Sequence, residues 1–170
     1  MVEASRTGKY SNFTRSIPVQ DDDSVSFGMA GVNKVEHILN LGGIIILTNS
    51  GEFVVKGDSN GMMTPSQINL DQVSYHGSSK LQPIVAGGTV LYVQSGGSIV
   101  RDLVFDYQVE GLTASELTIY SSHLVDGYQI IDWAFQKLQQ SILWLVRNDG
   151  VLLSLTYVRD QKIAGWAKHD

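Results

Sequence analysis

The sequence contains no cysteine, which excludes disulfides, thiolate metal sites and cysteine nucleophiles. Charge is sparse: 17% of the 170 residues are charged, and twelve Lys and Arg face seventeen Asp and Glu, a net of -5. Avid nucleic-acid binders gather positive charge on one face, and no Lys/Arg run here reaches the length of a polybasic tail. That balance predicts no sequence-specific nucleic-acid binding. No apolar run approaches the roughly 20 residues of a membrane-spanning helix, so no membrane span is expected. The opening Met1-Val2-Glu3-Ala4-Ser5-Arg6 lacks the apolar segment of a signal peptide, and the chain reads as cytosolic at synthesis. The catalytic patterns GxSxG, SxxK, HxH and HExxH are also missing.

What the sequence does contain is a repeat. Ile131, Trp133 and Phe135 alternate with Ile130, Asp132 and Ala134, the period of a strand. A second apolar run over 141–147 leads to Asn148-Asp149-Gly150, residues that tolerate the positive φ of a tight hairpin. Strand formers follow over 151–158, then a polar turn at Arg159-Asp160-Gln161, then a fourth strand over 162–168. Four strands in about 40 residues make one β-meander, the size of a propeller blade. Strands over 35–40, 43–48 and 52–56, with a turn at Asn49-Ser50-Gly51, repeat that grammar upstream. So do strands over 82–86, 89–94 and 98–105, with a turn at Ser95-Gly96-Gly97. Gly42-Gly43 and Gly87-Gly88 lie 45 residues apart, as do Gly51 and Gly96. The expected fold is therefore all-β, with about three four-stranded, propeller-like meanders near 35–76, 81–126 and 128–168. They form one repeat-built domain over 35–170, behind an irregular segment over 1–34. A β-sandwich or barrel is the alternative.

Two places break the rhythm. Thr64-Pro65-Ser66-Gln67 has the form of a helix start, yet the repeat register asks for a strand over 68–75, and the strand is preferred. Thr113-Ala114-Ser115-Glu116 is a better capping box, with Leu117, Tyr120 and Leu124 on one helical face. A short helix over 114–124 is expected there.

Candidate chemistry is thin. His37, His76, His123 and His169 are spread one per segment and read as structural or surface residues. Asp21-Asp22-Asp23 has the oxygens for a hard cation but reads as a solvated acidic loop. Asp58-Ser59-Asn60-Gly61 echoes a calcium loop, lacks the later bidentate Glu, and reads as a turn. Asp102, Asp106 and Asp132 have the chemistry of hydrolytic carboxylates, against a structural role in holding turns between strands, which is favoured. Trp133, Trp144 and Trp166 have rings that stack on sugars or bases, but the strand period places Trp133 beside Ile131 and Phe135 in a core. Asn12-Phe13-Thr14 matches a glycosylation sequon, without consequence in a cytosolic chain. No catalytic, cofactor-binding or metal-binding residue is assigned, no cofactor is expected, and the chain reads as a non-enzyme.

Several segments carry a resemblance. Ser5-Arg6-Thr7-Gly8-Lys9-Tyr10-Ser11-Asn12-Phe13 with Asp21-Asp22-Asp23 resembles the opening of the tail nozzle proteins of short-tailed phages and their prophage relatives, a family also called tail tubular or packaged-DNA stabilisation proteins. Thr48-Asn49-Ser50-Gly51-Glu52, Tyr75-His76-Gly77-Ser78-Ser79, Leu81-Gln82-Pro83 and Val100-Arg101-Asp102-Leu103 fit the same pattern in order. Asp126-Gly127-Tyr128, the run from Val146 to Leu153, and Gly165-Trp166-Ala167-Lys168-His169-Asp170 fit it too. The resemblance implies a propeller-containing virion protein without catalytic residues, part of the conduit that closes the packaged head and through which DNA leaves. It implies tail, portal or connector proteins as partners, and a place in the virion tail after assembly in the bacterial cytoplasm. Family members are much longer, which implies a segment of a longer protein or a trimmed relative. Three sheets also leave two terminal faces, so a homo-oligomer is expected.

Overall fold

The computed structural model describes residues 1–29, 31, 34–57, 61–106, 111–138 and 141–169. Among them the chain is nearly all strand. A short antiparallel ribbon pairs β1 (Val2–Ala4) with β2 (Val25–Phe27). Sheet one is the meander β3 (Val35–Asn40), β4 (Ile44–Thr48), β5 (Glu52–Lys56) and β6 (Asn69–Ser74). Sheet two is β7 (Ile84–Ala86), β8 (Thr89–Val93), β9 (Val100–Asp106) and β10 (Gly111–Glu116). Sheet three is β11 (Ile130–Gln136), β12 (Ile142–Arg147), β13 (Leu152–Val158) and β14 (Ile163–His169). Every pairing is antiparallel between sequence neighbours, so all three sheets are meanders, and no sheet closes into a barrel. No helix among the described residues is long and apolar enough to cross a membrane.

The sheets stack in chain order. On one face of sheet one, Ile46, Phe53 and Val55 pack under Val2 and Phe27 of the ribbon. On its other face, Ile45 and Leu47 meet Val90, Tyr92 and Leu103 of sheet two. The far face of sheet two, through Leu91, Val93 and Val100, meets Leu143, Leu145, Leu153 and Leu155 of sheet three. Each side chain so buried contributes about 1.5–3 kcal/mol. A strand covered on both faces must be apolar at every position, and β4 (Ile-Ile-Ile-Leu-Thr) and β8 (Thr-Val-Leu-Tyr-Val) are nearly so.

Backbone bonds lock the sheets at matching joints. Asn49 donates its N–H to Lys34 O (3.1 Å) and accepts Lys34 N–H on its side chain (3.1 Å). Asn148 does the same with Gln129, at 2.8 and 3.2 Å. Each Asn opens a turn and holds both polar backbone groups of the residue before its sheet's first strand. At the equivalent place in sheet two, Ser95 donates to Gly77 O (3.0 Å). Gly77 sits at φ +72°, where an added Cβ would fall 2.4 Å from Asn49 O. Only glycine fits there.

The helix expected over 114–124 is the main correction. Residues 111–116 form β10, and a single 3-10 turn at Ser122–Leu124 is all that is helical. Tertiary bonds override the capping box. Ser115 N–H is taken by Asp102 Oδ1 (3.2 Å), Leu117 N–H by Val100 O (2.9 Å), and Glu116 pairs with Arg101 (3.5 Å). Tyr120, assigned to the apolar face of that helix, is 95% exposed. The segment over 1–34 is less irregular than expected. Besides β1 and β2 it holds a tied loop, in which buried Asp23 accepts Ser16 N–H (2.8 Å), Ser16 Oγ–H (2.9 Å) and Gln20 N–H (2.9 Å). Arg6 bridges Asp22 and Asp23 at 2.8 and 3.1 Å.

Candidate functional site

The best-formed polar site lies between sheets two and three. Strand β9 turns Asp102 toward sheet three, where it is buried and accepts the Tyr157 hydroxyl at 2.7 Å. Arg159, just past β13, approaches the same carboxylate at 3.5 Å. Burial and then the Asp102 carboxylate push the Tyr157 phenol well above its ordinary range, so it remains a donor. Beside this group opens a cleft of about 520 Å³ between the Gly87-Gly88 turn, Phe135, Lys137, Ser141 and Arg159. A cleft of that size and polarity has room for a single sugar ring or an amino-acid side chain. Its counterpart between sheets one and two, about 380 Å³ at the Gly42-Gly43 turn, is lined by Leu41, Met63, Phe105 and Leu112. Recurrence at the same turn of successive sheets marks both clefts as products of the stacking.

A second buried group lies between sheets one and two. Glu52 of β5 is fully buried and accepts the Ser74 hydroxyl. Among the described residues neither its Oε1 nor the hydroxyl of fully buried Tyr92 makes a hydrogen bond of good geometry, although Glu52 and Ser74 both act on that hydroxyl. Burial, reinforced by the Glu52 charge, pushes the Tyr92 phenol far up. Nearby Arg101 is held by Gln94 Oε1 at 2.6 Å and by Glu116.

The residues singled out by sequence do not converge. His37 bonds Ser79 O (3.0 Å), His76 and His123 are exposed, and His169 bonds the Ser154 hydroxyl (2.8 Å). Asp132 faces away from the sheet-two interface and accepts Trp133 N–H (2.8 Å), so it shares no pocket with Asp102; Asp106 ends β9. Asp21 is exposed, while Asp22 and Asp23 are committed to Arg6. Residues 58–60 of the calcium-like segment lie outside the described residues. Among the described residues no three His, Asp or Glu side chains gather as a metal site. The sequon residue Asn12 is turned inward on its own loop, its Oδ1 accepting Thr14 N–H and Oγ1–H at 2.9 and 2.7 Å.

The tryptophans divide. Trp133 donates to Gln82 O (2.7 Å) and Trp166 to Leu117 O (2.8 Å), and both pack into the interface of sheets two and three. Trp144 instead stands on the far face of sheet three, bonded to Gln136 Oε1 (3.1 Å) and tilted on His169 at 5.2 Å. Sequence reasoning missed this division and the paired Asn49 and Asn148 locks. The strand period held the first signal, since Trp133 and Trp144 fall on opposite faces once paired strands are drawn in register. No family model matches the chain, and no curated protein is significantly similar to it.

Proposed function

We propose that the chain is a structural component of a phage or prophage tail, of the kind that closes the filled head and lines the path by which DNA leaves. Its partners are other tail, portal or connector proteins, and it works in the virion tail after assembly in the bacterial cytoplasm. The observation that supports this reading is where the resembling segments lie. They are the joints of the stack. Arg6 and Asp22-Asp23 tie the N-terminal loop, Asn49 closes sheet one on Lys34, Ser78 beside Gly77 donates its N–H to Thr48 O at 2.7 Å between sheets one and two, and Arg147 lies 3.6 Å over the Tyr128 ring while pairing with Asp149. Trp166 pins sheet three to Leu117. Residues spent on fixing turns and the joints between sheets suit a part whose task is shape.

The test is biochemical. Phage particles induced from the source bacterium are purified on a density gradient and probed with antibody to this chain. The account predicts signal in the particle band, at the tail by immunogold microscopy. Signal confined to the soluble fraction of uninduced cells contradicts it. A second reading, a module binding a sugar or peptide, draws on the 520 Å³ cleft with Phe135 and Arg159 on its walls. Retention on a glycan or peptide array, lost on Arg159→Ala, would favour that reading.

A further inference from the structure

The two interface clefts share a position and differ in chemistry. Each opens beside the Gly-Gly turn of one sheet and is closed by the sheet that follows. Stacking therefore produces the space, and the residues around it are free to vary. Among the described residues around the cleft of sheets one and two, Lys56 is the only charged one, and it is paired with Asp71 at 3.1 Å. The rest of that lining is glycine or apolar. Around the cleft of sheets two and three stand Lys137, Ser141, Arg159 and Asp160. Packing does not require them, since the equivalent space one sheet earlier is closed without them.

Two of these side chains are uncommitted. Among the described residues neither the Lys137 ammonium nor the Asp160 carboxylate makes a hydrogen bond or ion pair. Arg159 approaches Asp102 through one nitrogen at 3.5 Å, a loose contact, and its side chain is 40% exposed. Asp102 is satisfied without it, by the Tyr157 hydroxyl at 2.7 Å and by Ser115 N–H at 3.2 Å. Arg159 can therefore turn to a ligand without orphaning a buried charge. Phe135 supplies an apolar wall. At the turn, an added Cβ on Gly87 or Gly88 would meet no atom within 4 Å, so the space is open there. The charges nearly cancel: Lys137 and Arg159 stand against Asp160, with buried Asp102 beneath. Such a cleft does not suit a polyanion. It suits one negative charge flanked by donors of the ligand's own.

We infer that this cleft holds an aspartate or glutamate side chain presented on a peptide, which rests on the reading of the chain as a module that binds peptides. The carboxylate accepts from Lys137 and from the outer nitrogens of Arg159, a charge-assisted arrangement. Asp160 and the Ser141 hydroxyl accept N–H groups of the peptide backbone, and the aliphatic stem lies on Phe135. A neutral sugar uses none of that charge, and a phosphate dianion would be repelled by Asp160.

NMR titration of the full chain tests it with N-acetyl-glutamic acid amide, the matching glutamine compound and glucose as probes. The acid probe should shift the amide signals of Gly88, Ser141 and Arg159 and saturate. The glutamine probe should bind about tenfold more weakly, the value of one charge-assisted bond. Lys137→Gln removes an uncommitted side chain, so it should keep the fold and weaken the acid probe by a similar factor. Lys56→Gln, in the apolar cleft, should change nothing. Gly88→Leu, at a turn position without positive φ and with open space beside it, should fill the cleft and abolish the shifts. No shift with the acid probe, equal binding of the acid and glutamine probes, or equal loss in the two lysine variants overturns the inference. Shifts at these amides with glucose in place of the acid probe overturn it while leaving a sugar-binding module standing. The tail proposal is judged separately, on particles.

Discussion

Tyr92 and Tyr157 are both buried tyrosines facing a carboxylate, and they differ in one bond. Tyr157 donates to Asp102 at 2.7 Å, whereas among the described residues the Tyr92 hydroxyl makes no hydrogen bond of good geometry. A hydrogen bond to a charged group contributes about 1.5–3 kcal/mol, and a buried hydroxyl without such a bond has little to lose. Tyr157→Phe should therefore destabilise by about that amount in urea unfolding, and Tyr92→Phe should be neutral or mildly stabilising. Equal losses in the two variants would show that the polar groups between sheets are not organised as described. Asp23 allows a test by pH. Hydrogen bonds from Gln20 and Ser16, helped by Arg6, hold its pKa below the usual carboxylate value. A depressed folded-state pKa gives stability that is complete above the ordinary Asp range and is lost as pH falls through the folded value. The 5–24 loop should keep its amide protection from pH 7 down to the ordinary carboxylate range and lose it only in stronger acid. Asp23→Asn should remove that acid step. A loop protected equally at all pH values would contradict the role given to Asp23.

Among the elements, the paired turn locks are the most exposed to test. Asn148→Ala removes the side-chain bond to Gln129 N–H while leaving the backbone bond to Gln129 O. It should cost about 1 kcal/mol. Asn148→Asp keeps an acceptor there and should cost less; the reverse order would count against the lock. These elements also show what the sequence made legible. Strand β12 and its hairpin were readable because apolar alternation and Asn148-Asp149-Gly150 are local signals. Strand β6 was readable only through the repeat, since Leu70 and Val73 do not alternate cleanly. Strand β10 was not readable, because the partners that override its capping box, Asp102 and Val100, are more than ten residues away. The same limit hid the Asp102–Tyr157 pair, 55 residues apart, whose members look like any strand Asp and strand Tyr. The Asn locks were half visible: Asn-x-Gly occurs at both turns, but nothing local says that the Asn side chain reaches across to another strand's entry.

At the scale of the whole molecule the charge balance predicts how the protein treats DNA. Sequence-independent binding needs many Lys and Arg set against phosphates. Here Arg6, Arg101, Arg147 and Arg159 are engaged by carboxylates, in a chain of net -5. No duplex binding should be detectable by mobility shift at physiological salt, and sub-micromolar affinity would contradict this. Under the tail proposal, such a surface would let a sliding polyanion pass without being held.

The central claim is the proposal that this stack of three meander sheets is a structural part of a phage or prophage tail. Probing gradient-purified induced particles with antibody to the chain tests it most directly. Signal should appear in the particle band, and signal confined to the soluble fraction of uninduced cells would contradict the proposal.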